Sequence, residues 1–441
     1  MNAILFFSLV SLLLAPQAGL AQSGSVYEIP PVLDAAELLK GEPLTGEHFV
    51  VDRRVPTDGF LMTFTVQSEF GVFHPRSPDL LAVTLVEIAA LVQLEKIYKS
   101  ELFVKGFKKS GKEIGQELKT VVTKPVQTVK GIGAGVGRFF QRTYRTTKTG
   151  VQKLGDKAFE QEPEEQASAN PGSKLPGAVP KENGSVSETN LAVAGLKMTG
   201  NTVVNILGYS EQRRQLAKQL RVDPYTTNKV LAEKLDEVAW AAFAGGLGVR
   251  AIKMAVPASM ALSVTTTLSD WTWDVPVGDL KVFNENKLLA MGVDQGTVDR
   301  FLRHRWHTIT MQGRLVRALD RIGEAENRPE VIALALTVTS DGQARFVTEA
   351  VEMLAHFHEQ IAPLIRLEVH TSVIGRKKQG GIVIPAPLDY VSWTKQLDRF
   401  TSRNELKDSK PILYLRGRLS VAARKELGGK GWRISENVLN D

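Results

Sequence analysis

From Glu160 to Asn190 the chain offers a folded core almost nothing to bury, and that stretch limits how the rest can be organised. Pro163, Pro171, Pro176 and Pro180 lie among Gln, Ser, Ala, Asn, Gly and Glu, with almost no large apolar residue. Such a composition cannot offset the entropy of ordering it, so a disordered linker is predicted over 160–190. The rest of the 441 residues, at 43% hydrophobic and 23% charged overall, suits two or three globular domains. The chain has no cysteine, which removes disulfides, thiolate metal sites and cysteine nucleophiles together. Its stability must come from packed cores.

At the N-terminus, Ala3 to Leu14 is a run of apolar residues and serines, broken by Pro16 and followed by Ala18-Gly19-Leu20-Ala21. Small residues at the two positions a signal peptidase reads predict a signal peptide over 1–21, cleaved before Gln22, and a secreted or periplasmic protein. A run of about 12 apolar residues is too short for the roughly 30 Å of bilayer hydrocarbon. Met1-Asn2 carries no Lys or Arg, a departure from the usual signal pattern. No cysteine follows the run to accept a lipid.

Residues 22–95 read as a β-rich unit leading into a helix. Phe49-Val50-Val51, Phe60 to Val66 and Phe70 to Phe73 are β-branched or aromatic runs separated by turn residues, which predicts a three-stranded meander. From Leu80, apolar residues recur at helical spacing. Residues 96–159 form a basic segment, expected to be interrupted amphipathic helix. Between Lys96 and Lys157 there are 15 lysines and arginines against Glu101, Glu113, Glu117 and Asp156, with apolar residues interleaved.

Residues 191–327 read as a helical bundle, with a helix ending at Asp223-Pro224 and the next capped by Thr226 or Thr227. Residues 328–441 read as an α/β domain with a mixed sheet. Its expected strands are 331–339, 365–374, 381–384, 412–415 and 432–434, and its expected helices are 346–361, 390–400 and 421–427. The expected fold is thus a multidomain α+β chain: a small N-terminal β-rich unit with long basic helices, a disordered linker, a helical bundle and a C-terminal mixed α/β sheet domain.

The chain's formal charge of +7 is concentrated in the basic segment. Lys105, Lys108, Lys109, Lys112, Lys130, Arg138, Arg142 and Arg145 are its candidate contacts to an anionic membrane surface or an envelope polyanion. Export argues against nucleic acid as the partner. Gly131, Gly133, Gly135 and Gly137 match neither phosphate-loop spacing and suit close helix contact or a loop.

His304 and His307 have usable metal-ligand spacing if helical, but lack the HExxH glutamate and lie beside Arg303 and Arg305, so neither a metal nor another cofactor is expected. Ser340 and Asp341 precede an expected helix N-terminus, while Glu368 and His370 alternate on one strand face. Those four are the candidate catalytic residues of an exported enzyme or toxin-like effector. Ser392 and Lys395 make an SxxK pair without its usual companions. The leading expectation is a non-enzymatic envelope protein whose basic segment binds the polyanion and whose C-terminal half carries a partner or ligand. The alternatives are the enzyme and a structural scaffold.

Overall fold

The computed structural model describes residues 27–39, 43–98, 100, 200–244, 270–370, 372–406 and 409–439. The predicted signal peptide, linker, glycine run and all eight candidate polyanion contacts lie outside them. The chain divides into two units, one made of Met1–Ile97, Ala217–Lys234 and Lys253–Asp441, the other of Tyr98–Leu216 and Leu235–Ile252. The fold is mixed α+β, with helices, several sheets and one C-terminal mixed sheet.

In the first unit, β1 (Val32–Asp34) runs into the short α1 (Ala35–Leu38), capped by Asp34. A four-stranded antiparallel sheet follows from β2 (Thr45–Gly46), β3 (Phe49–Val51), β5 (Val66–Ser68) and β6 (Gly71–Phe73), in that order, while β4 (Arg54–Pro56) pairs with β1. The expected strand from Phe60 to Val66 begins only at Val66. Phe60, Met62, Phe64 and Val66 are all buried, so the period-2 alternation is real. Their backbone donors go elsewhere: the Asp58 carboxylate accepts from the Phe60 and Leu61 N–H groups at 2.9 and 2.8 Å, and that of Asp389 from Met62 N–H at 3.1 Å. One local acceptor, Asp58, and one distant one, Asp389, have displaced the ladder there.

Helix α2 (Pro78–Tyr98) packs Leu81 and Ile88 onto this sheet's core. Later come α3 (Gly200–Leu220), α4 (Lys229–Ala244), α5 (Asp270–Asp274), α6 (Val277–Ala290), α7 (Gln295–Leu302) and α8 (Ile309–Arg321). Asn228, not Thr226 or Thr227, caps α4, accepting from the Val230 and Leu231 N–H groups at 3.1 and 3.3 Å. In the second unit, the Tyr209 hydroxyl donates to Asp236, which Arg213 meets at 2.8 Å.

The expected strand 331–339 is instead helix α9 (Arg328–Ala335). Pro329 presets its first turn, and Val331, Ile332, Leu334 and Ala335 are buried at helical spacing, which overrides their β propensity. Helix α10 (Asp341–Gln360) then packs on the C-terminal sheet, formed by β7 (Leu364–Val369), β8 (Val373–Lys377), β9 (Ile382–Ala386), β11 (Ile412–Leu415) and β13 (Arg433–Ser435) in the order β13-β11-β9-β8-β7. β7, β8 and β9 are antiparallel; β9, β11 and β13 run parallel. Helices α11 (Lys395–Thr401) and α12 (Val421–Gly429) lie in the crossovers that parallel neighbours require. A short parallel pair, β10 (Tyr390–Val391) and β12 (Arg418–Leu419), sits where 390–394 was expected to be helical.

The first unit's sheets are bound together by backbone. Asp389 N–H donates to the Phe60 carbonyl at 2.9 Å and Ser392 N–H to that of Gly59 at 3.0 Å, and the Phe60 ring is buried in the core of the C-terminal sheet. At the very start of the described chain, Tyr27 donates to Asp398 at 3.0 Å, and the Glu28 carboxylate accepts from Trp393 N–H at 2.5 Å and from the Ser420 hydroxyl.

Candidate functional site

Four helices have their N-termini, all within the first unit, at one cavity of about 680 Å³. Their capping residues Ser77, Asn228, Thr308 and Ser340 all line it. The caps accept from Leu80 N–H at 3.0 Å, Val230 N–H at 3.1 Å, Met311 N–H at 3.2 Å and Gln343 N–H at 3.2 Å. The sequence dictates this locally, because Ser, Thr and Asn prefer the position where a side-chain oxygen meets the first free N–H groups. Four helix N-termini directed at one space give its wall a positive dipolar character.

Charged side chains complete the wall. Arg314 on α8 makes a two-pronged contact with Glu352, Nε at 2.8 Å and Nη2 at 2.6 Å. Burial works against its charge, but Glu352 outweighs that and holds its pKa above the ordinary value. Arg416 is ringed by Glu349 at 2.8 Å, Asp389 at 3.1 Å and Asp79 at 3.4 Å. Arg345 reaches Glu349 at 3.8 Å, and Arg76 pairs with Asp58. Between them Val83, Met311, Phe346 and Leu388 are apolar wall.

Glu87 is different in kind. It projects from the middle of α2, is 7% exposed, and accepts hydrogen bonds from the Thr226 hydroxyl and from the Asn228 side-chain amide at 2.8 Å. Its partners are neutral, and among the described residues no cation forms an ion pair with it. Burial raises its pKa; the two hydrogen bonds oppose that, Asp223 adds to it and Arg345 pulls against it. Asp223, also in the wall, accepts from Tyr225 N–H at 2.7 Å and from the Thr310 hydroxyl at 2.8 Å.

The candidate residues from the sequence fall in three places. Ser340 and Asp341 line the cavity, Ser340 with its hydroxyl engaged as the α10 cap. Glu368 and His370 are not among the lining residues; they meet at 3.6 Å at the end of β7, His370 just past it, where Arg376 bonds Glu368 and holds its carboxyl below the ordinary range. His304 and His307 flank the turn after α7 rather than sharing a helix face, with ring centroids 5.3 Å apart. His307 is buried with Nε2 3.0 Å from the Ala335 carbonyl. Among the described residues no group of three or more His, Asp or Glu is placed to hold a metal ion. Ser392 precedes α11, which starts at Lys395 under a Thr394 cap, so the SxxK pair does not share a helix.

Glu87 escaped the sequence reading, though its signal is present: a lone carboxylate in Leu85-Val86-Glu87-Ile88-Ala89-Ala90-Leu91, with Val83, Thr84, Ala90 and Leu91 at the positions where a helix would seat a salt-bridging base. No protein-family model matches the chain, and no curated protein or solved structure matches it either.

Proposed function

We propose that the chain is an exported, non-enzymatic binding protein whose cavity at the four helix N-termini holds a small organic ligand. The cavity itself carries this reading. At about 680 Å³ it has the size of small-molecule sites, and its apolar walls interrupted by a few fixed polar groups have their composition. Holding is favoured over reacting because Arg314 and Arg416 are committed to carboxylate partners and Ser340 to its helix. Val83→Trp, which puts an indole into the space, should abolish ligand binding while shifting the melting temperature by only a few degrees. The check is a thermal-shift screen with neutral, anionic, cationic and zwitterionic compounds. A true ligand at 100 times its Kd stabilises the wild type by about 2.7 kcal/mol. No stabilisation by any compound, or equal stabilisation of the variant, removes the reading.

The second element is the basic segment, supported by its 15 basic residues against four acids. In this reading the β-rich unit leads into basic amphipathic helices, a disordered linker separates these from the helical and α/β parts, and the basic helices engage anionic lipid or another envelope polyanion. Among the described residues no helix is long and apolar enough to cross a membrane. The protein should co-sediment with anionic vesicles, less so as salt rises, and not with neutral ones. Replacing Lys105, Lys108, Lys109 and Lys112 by Gln should weaken that binding by at least about 100-fold, since each basic residue contributes about 1 kcal/mol near such a surface. Equal and salt-insensitive binding to both vesicles, or none, contradicts it.

A further inference from the structure

Glu87 is a carboxylate buried in a cavity wall with neutral donors as its partners, and isolated buried charges are unfavourable unless neutralised or paired. On the far side of the charge balance, Arg345 shares Glu349 with Arg416, which holds that carboxylate at 2.8 Å while Arg345 stands at 3.8 Å. Among the described residues, the wall therefore presents in Glu87 a buried carboxylate that forms no ion pair and in Arg345 a guanidinium with a weak claim on its acid. A simple anion would bring no cation to Glu87, and a bare metal ion would find no set of three ligands among the described residues. Resting on the reading of the cavity as a ligand site, we propose that its ligand is a small amphiphilic zwitterion, a free amino acid or short peptide. Its ammonium group is bound by Glu87, its carboxylate by Arg345, and its apolar part lies against Val83, Phe346 and Leu388.

Ligation of the ammonium group satisfies Glu87 as an anion and supplies its missing cation. Arg345 gains a two-pronged carboxylate partner, the geometry its planar guanidinium favours. Nothing in a purely structural role for Glu87, as a tie between α2 and the Thr226–Asn228 loop, demands that an amine be recognised. The two roles separate by experiment.

Full-length protein is titrated calorimetrically with the twenty free amino acids and with alanyl dipeptides, which distinguishes the two sources. Every binder is then compared with its N-acetyl form, which lacks the ammonium group, and with its amide, which lacks the carboxylate. The expected result is that at least one zwitterion binds and both derivatives bind roughly 10- to 100-fold more weakly. Glu87→Gln should erase the preference over the N-acetyl form, and Arg345→Met the preference over the amide. Arg345 is half-buried with one long ion pair, so its variant keeps the test open if Glu87→Gln does not fold. If the N-acetyl form binds as well as its parent, or if only neutral or anionic compounds bind and Val83→Trp blocks them, the zwitterion is wrong and the cavity reading stands. If no compound of any charge binds the wild type, both fall.

Discussion

Gly417→Ala should lose about 3 kcal/mol or more of folding stability, one of the two largest effects expected from a single change. A Cβ at Gly417 would lie 1.9 Å from the Asp389 carbonyl oxygen and 2.5 Å from its carbon. Both are backbone atoms, so no rotamer change relieves the clash. Relief requires β10 to move off β12, which strains the bond from Gly417 N–H to the Leu388 carbonyl at 2.9 Å and that from Arg418 N–H to the Asp389 carbonyl at 3.0 Å. It also disturbs Arg416, whose guanidinium meets Asp389 at 3.1 Å. Overpacking alone costs about 1–3 kcal/mol, and each hydrogen bond adds about 1. Urea unfolding measures the loss. Gly428, inside α12 with no atom within 4 Å of the place a methyl group would take, is the control, where Ala should be neutral or stabilising by up to about 1 kcal/mol. A loss below about 1 kcal/mol for Gly417→Ala would show that the strand pair yields freely.

The second large effect is a loss of stability in mild acid that belongs to His307. Burial, with a smaller push from His304, lowers its pKa from 6.5 to about 4, against the pull of its bond to the Ala335 carbonyl. The folded state therefore binds the proton less readily than the unfolded chain. The stability from keeping His307 neutral is fully present above pH 6.5 and is lost as the pH falls through 6.5 to about 4. A shift of that size corresponds to about 3 kcal/mol. His307→Gln keeps a neutral donor for the carbonyl and cannot titrate. Chemical unfolding of both proteins at several pH values between 7 and 4 should show the wild type losing about 3 kcal/mol more than the variant. Parallel stability curves would assign the acid sensitivity to other groups, such as Glu359 and Asp398, whose carboxyls are held below their ordinary range by Arg321 and Lys430.

Where local chemistry decides, the sequence was readable. Ile412 to Leu415 is a short apolar run and forms a central strand; Ser340 is a capping residue before a helical pattern and caps α10. Where distant groups decide, it was not. Phe60 to Thr65 alternates as a strand should, yet Asp389 takes the Met62 N–H across 327 residues of sequence. Thr226 is a good capping residue on its face, but its hydroxyl serves Glu87, 139 positions away, and Asn228 caps in its place. The cavity has the same origin: Ser77, Asn228, Thr308 and Ser340 are each ordinary caps, and only the packing of four separate segments makes them neighbours in one wall. His304 and His307 look like a helical pair because their spacing is right, whereas α7 has already ended at Leu302.

The tie between the first and last parts of the described chain governs how the protein can be made. Glu28 and Ser420 are 392 positions apart, and Tyr27 and Asp398 are 371 apart. A growing chain that has reached only residue 390 still lacks Trp393, Asp398 and Ser420, the groups that seat its own beginning, and the Phe60 ring has no core to enter until the C-terminal sheet exists. Because such long-range closures must precede the contacts that reward them, the N-terminal sheet can gather its own core early but is sealed against the C-terminal one only when synthesis is nearly complete. Until then the Phe60 ring and the unfilled partners of Tyr27 and Glu28 stay open to proteases and to premature association.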